Sequence, residues 1–152
     1  MRSFPSEKET RLLELQNKEL ELLQQIRELT ERQTELLLAD DIEAFGESID
    51  SRQELIEKIN GLHQESNILM QSYISFTETA GAEKIGAVEE TNRQLAEVMA
   101  GCAELNEKNA AMAKERSTDY MEQIGKLSLG RKSLGAYVQD VPNDSKLFDK
   151  MT

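Results

Sequence analysis

A leucine at every seventh position marks the first quarter of this sequence, across a stretch that contains neither proline nor glycine. These leucines are Leu15, Leu22, Leu29 and Leu36. The interleaved positions on the same helical face are Leu12, Glu19, Ile26 and Gln33. Such spacing forms one apolar stripe along an α-helix, and at about 1.5 Å per residue this helix would be on the order of 50 Å long. A stripe of that length needs partner helices to cover it.

The composition favours helices that share narrow seams over a thick sheet core. Of the 152 residues, 5% are aromatic, 31% are charged and none is tryptophan. So few large apolar side chains suit thin contacts between helices. We therefore expect an all-α fold, an elongated antiparallel helical bundle or coiled coil of about three long helices with a flexible C-terminal tail.

Turn and capping signals divide the chain into these helices. Pro5 suits the start of a first helix. Asp40 and Glu43 are spaced as in a capping box, which predicts that Asp40 caps a second helix. The run Thr77–Gly81 is the next break, because it ends in glycine and interrupts the apolar pattern. The predicted helices cover residues 6–39, 41–76 and 82–127.

The third predicted helix carries small residues where the first carries leucine, which would let it lie close against the first two helices. These small residues are Ala96, Ala100, Ala103, Ala110, Ala111 and Ala113. Asn109 occupies an apolar-phase position of this helix. A buried asparagine in a helical seam fixes the register of the helices at some cost in stability. A partly solvated amide near the end of the bundle is the alternative.

Residues 1–127 are thus expected to form the bundle, and residues 128–152 a mobile amphipathic tail. A short apolar series at this junction has no evident place in the charged body: Leu127, Leu129, Leu134, Tyr137 and Val138. As an amphipathic helix it would be stabilised by the groove or helix of a partner. The alternative is a C-terminal cap that folds back on the bundle.

No group of residues in the sequence predicts catalysis, a metal site or a cofactor. His63 and Cys102 are the sole histidine and cysteine and are too far apart for ordinary zinc-ligand spacing. The carboxylates, Glu19 among them, are expected mostly on solvated helix faces. The segment Gly125–Ser133 resembles a phosphate-binding loop, but no predicted strand precedes it. We therefore expect a protein that is not an enzyme and uses no cofactor.

The formal net charge of -11 argues against binding to nucleic acid or anionic lipid. No stretch approaches the roughly 20 apolar residues that a membrane span needs, so membrane insertion is not expected. The first residues lack the apolar run of a signal peptide, and a single cysteine suits a reducing compartment. These features together predict a cytoplasmic protein.

Several segments resemble the FlgN family of flagellar export chaperones, relatives of FliT among the helical type III secretion chaperones. They include the leucine- and glutamate-rich first helix and the endings Gly-Arg-Lys-Ser-Leu-Gly-Ala-Tyr and Leu-Phe-Asp-Lys. The matching segments after the first helix are Ala39–Phe45, Arg52–Ile59, Leu105–Asn109, Gly130–Tyr137 and Leu147–Lys150. The resemblance extends over nearly the whole chain, except residues 62–81.

The resemblance implies a cytoplasmic chaperone that binds the C-terminal helical segments of hook-filament junction (hook-associated) proteins. It would prevent their premature assembly and deliver them to the flagellar export gate. We expect the client to dock on the C-terminal half of the third helix and the tail, and Tyr137 to contact the export gate. The expected client anchors are Ile124, Leu127, Leu134, Tyr137 and Val138.

Two other functions remain open at this point. A FliT-like chaperone for the filament-cap protein would have the same helical architecture and a different client. A self-associating coiled-coil scaffold would use the stripe from Leu15 to Leu36 as a dimer seam. A homodimer is compatible with either chaperone as well, since long helices with a narrow core can pair with a second copy.

Overall fold

The computed structural model describes residues 3–116, and among these it contains three helices and no strand. Helix α1 spans Ser6–Leu38, α2 spans Ile42–Glu78 and α3 spans Gly86–Glu115. The predicted all-α fold class with three long helices is confirmed. The predicted continuation of the third helix to residue 127 and the tail over residues 128–152 lie outside the described residues.

A tight turn joins α1 to α2, and its cap differs from the prediction. Asp40 has a φ of 54°, in the left-handed region, so it ends α1 and cannot cap the next helix. Its N-H donates to the carbonyl of Leu37 at 3.2 Å, and the N-H of Asp41 donates to that of Leu36 at 3.0 Å, as in a Schellman motif. Asp41, one residue later than predicted, caps α2 by accepting from the N-H of Ala44 at 3.2 Å.

The connection from α2 to α3 is longer than the sequence pattern indicates. Gly81 has a φ of 68°, a left-handed conformation that glycine adopts without steric cost. Ala82, the predicted start of the third helix, is buried in this connection, and α3 begins only at Gly86. The Tyr73 hydroxyl accepts a hydrogen bond from the N-H of Ile85 at 2.9 Å, which holds that residue extended as the N-cap. This tertiary contact therefore explains why α3 begins later in the sequence than predicted.

Helix α1 is central and packs against both other helices. It runs antiparallel to α2, because Arg11 pairs with Glu65 and Thr30, further along α1, pairs with the earlier residue Arg52. Within the described part, no Cα atom of α2 comes within 8 Å of one of α3. The third helix was expected to lie close against the first two. It lies close to α1 only, and α2 and α3 contact each other only through side chains.

Helices α1 and α3 run parallel in a strict heptad register. The Cys102 thiol lies 3.9 Å from the Leu23 carbonyl oxygen, and the Asn109 amide nitrogen donates to the Thr30 carbonyl at 2.9 Å. The Arg116 guanidinium also donates to a carbonyl of α1, that of Leu37. Each pair is separated by 79 residues in sequence. Successive contacts thus advance by seven residues on both helices, as in a parallel coiled coil.

Three apolar clusters fill the seams between the helices, and each takes side chains from all three. The Phe4 cluster contains Phe4, Leu12, Tyr73 and Val88. The Leu23 cluster contains Leu23, Ile26, Ile56, Ile59, Leu95, Met99 and Cys102. The Phe45 cluster contains Leu36, Leu37, Ile42, Phe45, Ile49 and Ala113. Each fully buried Leu, Ile or Phe side chain contributes about 1.5–3 kcal/mol relative to an exposed one.

Candidate functional site

The residues that the sequence predicts as client anchors lie outside the described residues. They are Ile124, Leu127, Leu134, Tyr137 and Val138. The loop-like segment Gly125–Ser133 lies there as well. The structure therefore does not place these side chains, but it does describe the end of the bundle from which the chain continues toward them.

Arg116 fixes that end of the bundle. Its guanidinium donates to the carbonyl of Leu37 and lies 3.3 Å from an Asp40 carboxylate oxygen, so the last residue of the described chain is held against the α1–α2 turn. Leu38, in the same turn, is 64% exposed, although it is a large apolar side chain. Among the described residues, this end of the bundle therefore has an uncovered apolar side chain.

Two layers of buried polar side chains separate the three clusters. The Asn109 layer, between the Leu23 and Phe45 clusters, consists of buried Thr30, Arg52 and Asn109 together with half-buried Thr34. The Glu19 layer, between the Phe4 and Leu23 clusters, consists of Gln16, Glu19 and Ser66. Buried polar groups are costly unless they are hydrogen-bonded, so the partners of each layer decide what it contributes.

The Asn109 layer joins all three helices through hydrogen bonds. Asn109 is fully buried, donates to the Thr30 carbonyl at 2.9 Å and accepts from the Thr34 hydroxyl at 2.6 Å. Arg52 of α2 donates from Nε to the Thr30 hydroxyl at 3.2 Å. Of the two roles considered for Asn109, the buried register-fixing one agrees with this geometry, since any other alignment would separate these groups.

The Glu19 layer corrects an expectation from the sequence. Glu19 was assigned to a solvated helix face, but it is only 3% exposed. Its carboxylate accepts a hydrogen bond from the Ser66 hydroxyl of α2. Burial raises the pKa of Glu19, and the Ser66 hydrogen bond opposes this shift. Glu19 is spaced by seven residues from both Leu12 and Ile26, and this spacing is the feature of the sequence that indicates a buried position.

An open pocket between α2 and α3 lies next to this buried layer. Glu19 and Gln16 of α1 lie at its base, and Leu12, Met70 and Leu95 provide apolar walls. The space holds room for a few water molecules. Gln16 is 3% exposed and donates to the Val88 carbonyl at 3.3 Å, but its Oε1 atom has no hydrogen-bond partner among residues 3–116. The lining of the pocket therefore contains a buried acceptor without a donor next to a buried carboxylate.

Surface charges add only local contacts. Arg11 of α1 binds both carboxylate oxygens of Glu65 of α2, at 2.5 and 2.8 Å, and holds the pKa of that carboxyl below its usual range. Both side chains are about half exposed, so the pair is screened by solvent. It aligns α1 and α2 without forming a reactive site.

Neither Cys102 nor His63, the other residues considered for catalysis or metal binding, lies in surroundings that indicate a reactive site. The Cys102 thiol is buried in the Leu23 cluster, where a small apolar side chain packs well. His63 is half-buried and lines the pocket near Ser66. Across residues 3–116, no three His, Cys, Asp or Glu side chains are grouped to hold a metal ion. In the same range, no helix is both long and apolar enough to span a bilayer.

The comparison with protein families identifies what this helical chain is related to. The sequence model of the FlgN protein matches residues 1–133. This chain belongs to the FlgN family. No curated protein and no solved structure matches it. The family match includes Ile124 and Leu127 and ends just before Leu134, Tyr137 and Val138.

FlgN membership gives the chain a general role. FlgN proteins are flagellar export chaperones, which bind flagellar proteins and belong to no enzyme class. The structure is compatible with that role, because its described residues form a helical bundle that leaves the apolar side chains of Leu38 and Ile68 exposed. The resemblance seen in the sequence is therefore confirmed at the level of the family.

Proposed function

We propose that this FlgN protein is a cytoplasmic type III export chaperone for hook-filament junction proteins. It binds their C-terminal helical segments, prevents their premature assembly and delivers them to the flagellar export gate. The family match over residues 1–133 carries the proposal. A free terminal helix with an apolar stripe self-associates unless another helix covers the stripe, and a helical chaperone supplies that cover.

The client docks at the end of the bundle where α3 terminates. Two observations support this location. Arg116 is anchored beside the α1–α2 turn, so the segment that contains Ile124 and Leu127 begins there. Leu38 leaves an apolar side chain uncovered at the same place. Helical residues of the client would extend the Phe45 cluster across this end.

Truncation after Gly125 tests the location. Most of the helical circular dichroism should remain, because α1, α2 and α3 lie before that residue, whereas client binding should be lost with Leu127, Leu134, Tyr137 and Val138. The measurement is binding of the client's C-terminal segment to both proteins. Unaltered affinity of a folded truncated protein would reject the assignment.

Two exposed apolar residues can be substituted as a test and its control, because neither substitution disturbs the core. Leu38 is 64% exposed at the proposed docking end, and Ile68 is 69% exposed on α2. Leu38→Ser should weaken client binding by about tenfold, the factor expected when one apolar side chain is lost from an interface. Ile68→Ser should leave the affinity unchanged. Equal effects of the two substitutions would argue against a localised docking end.

Tyr137 is proposed to contact the export gate, since it is an aromatic residue next to a basic stretch of the tail. Tyr137→Ala should weaken binding to the gate more than binding to the client. Equal loss in both assays would contradict a dedicated gate contact. Parallel pull-downs with the terminal segments of hook-filament junction and filament-cap proteins separate the proposed client from the FliT-like alternative.

A further inference from the structure

The pocket between α2 and α3 is lined by a carboxylate that has no ion-pair partner and by an amide oxygen that has no hydrogen-bond donor among residues 3–116. Glu19 is buried and bonded to Ser66, and no lysine or arginine of residues 3–116 forms an ion pair with it. Gln16 Oε1 in the same base has no donor among those residues. Buried acceptors of this kind favour a ligand that brings hydrogen-bond donors and positive charge.

The shape of the pocket further restricts that ligand. Its walls of Leu12, Met70 and Leu95 are apolar, and its interior has room for only a few water-sized groups. A lysine side chain has an apolar stem of four methylenes and a compact ammonium with three donors, which suits such walls and such a base. The planar guanidinium of arginine is wider and needs a broader site.

We propose that this pocket receives a lysine side chain from the client, carried on a helix that lies over α2 and α3. The inference rests on the proposed function, because it takes the occupant to be the client. The mouth lies between two helices whose Cα atoms stay more than 8 Å apart, so a helix can approach it lengthwise. The net charge of -11 attracts a basic partner.

The lysine completes the Glu19 layer. Its ammonium would donate to the carboxylate of Glu19 and to Oε1 of Gln16, and its methylenes would contact Leu12, Met70 and Leu95. The contact would fix the client's position along the bundle, because only one helical turn of the client could present its lysine to the opening. It lies about two-thirds of the length of α1 away from Leu38, so the two contacts together would orient the client helix.

The first test uses n-butylammonium as a probe of the pocket in the full chain, followed by NMR. The amide and side-chain signals of Gln16, Ser66 and Asn92 should shift saturably, and n-butanol should not reproduce the shifts. Glu19→Gln should weaken binding by about tenfold or more. Glu21→Gln, an exposed control on the same helix, should have no effect.

The second test separates this inference from the proposed function. Client affinity is measured with wild-type protein, Glu19→Gln and Glu21→Gln. Loss of affinity in Glu19→Gln alone supports the lysine contact. Client binding that is unchanged by Glu19→Gln overturns the lysine contact and leaves the chaperone function intact. If no client binds, the function fails, and absence of a Glu19-dependent butylammonium shift would independently overturn the pocket.

Discussion

The two buried polar layers of this bundle differ in how completely their groups are satisfied. In the Asn109 layer, the amide of Asn109 donates and accepts across α1 and α3, and Arg52 adds a hydrogen bond from α2. In the Glu19 layer, a buried carboxylate has one hydroxyl donor, and Gln16 Oε1 has none within residues 3–116. The first layer specifies alignment, whereas the second leaves an acceptor without a donor next to the pocket.

This contrast shows that polar residues in the core of a helical bundle can have opposite effects on stability, depending on whether their hydrogen bonds are satisfied. A satisfied polar layer excludes other registers, since misalignment would strand its donors and acceptors in the core. An incompletely satisfied layer destabilises the free protein, and that cost is recovered when a ligand supplies the missing partners. Substitutions in the two layers should therefore change stability in opposite directions.

The largest effect is expected from removing Asn109. Asn109→Ala loses two hydrogen bonds and leaves a void between α1 and α3, so the free energy of unfolding should fall by about 2–3 kcal/mol. Urea denaturation measures this change, with the exposed Asn60→Ala on α2 as the control. An equal, small change in both proteins would mean that the Asn109 layer does not hold the helices in register.

A substitution at Gln33, one turn after Thr30 on α1, should change the free energy of unfolding in the opposite direction. Gln33 is fully buried, and neither polar atom of its side chain has a hydrogen-bond partner among the described residues. Gln33→Leu replaces it with an apolar group of similar size and should raise the free energy of unfolding by about 1–2 kcal/mol. Urea denaturation is again the measurement. A loss of stability would show that the amide of Gln33 has a partner in the folded protein.

Glu19→Gln should stabilise the free protein at neutral pH by about 1 kcal/mol, because it removes a buried charge. Burial raises the folded-state pKa above 4.5, so the folded protein holds this proton more tightly than the unfolded chain. The wild type therefore loses stability as pH rises through the interval between 4.5 and the raised pKa, and the variant lacks this loss.

The pH experiment needs a control for the other groups at the pocket. His63 of α2 is an ionisable side chain that also lines the pocket, whereas Asn92 and Leu95 of α3 are uncharged. Denaturation curves from about pH 4 to about pH 8 should thus be compared for Glu19 and Glu19→Gln in a His63→Gln background. Parallel pH profiles with and without Glu19 would contradict a buried, ionising carboxyl.

The smallest effect is expected at the surface pair of Arg11 and Glu65. Removal of Arg11 should return the pKa of Glu65 upward to about 4.5, since the guanidinium is the main cause of its depression. The wild-type pair favours folding above that pH and loses its effect as the pH falls through the depressed pKa. NMR titration of Glu65 in Arg11→Ala checks the shift, which should also shrink at high salt. An unchanged Glu65 titration would contradict the bidentate contact.

The sequence predicts the helices better than it predicts what their polar positions do. The leucine heptads locate α1, and the predicted second helix, residues 41–76, nearly coincides with α2 at Ile42–Glu78. The prediction that Glu19 faces solvent is wrong: its heptad spacing indicates the buried stripe, but spacing does not reveal the hydroxyl that allows a carboxylate to be buried there. Its surroundings depend on Ser66, which the antiparallel packing of α2 brings close.

The element boundaries were missed for a similar reason. The start of the third helix was placed at residue 82, but the extended residue Ile85 is held by the hydroxyl of Tyr73, twelve residues away. The cap of α2 moved to Asp41 because Asp40 ends the preceding helix with a positive φ. Local spacing cannot reveal either event, since both depend on how neighbouring helices end and pack.

The central claim is that this FlgN protein binds the exposed terminal helix of a hook-filament junction protein. Isothermal titration of the full chain with that C-terminal segment tests it most directly. We predict saturable binding with a Kd of about 1 µM or tighter, and an increase in helical circular dichroism of the mixture if the segment is unfolded when free. Absence of saturable heat at segment concentrations of about 100 µM would contradict the claim.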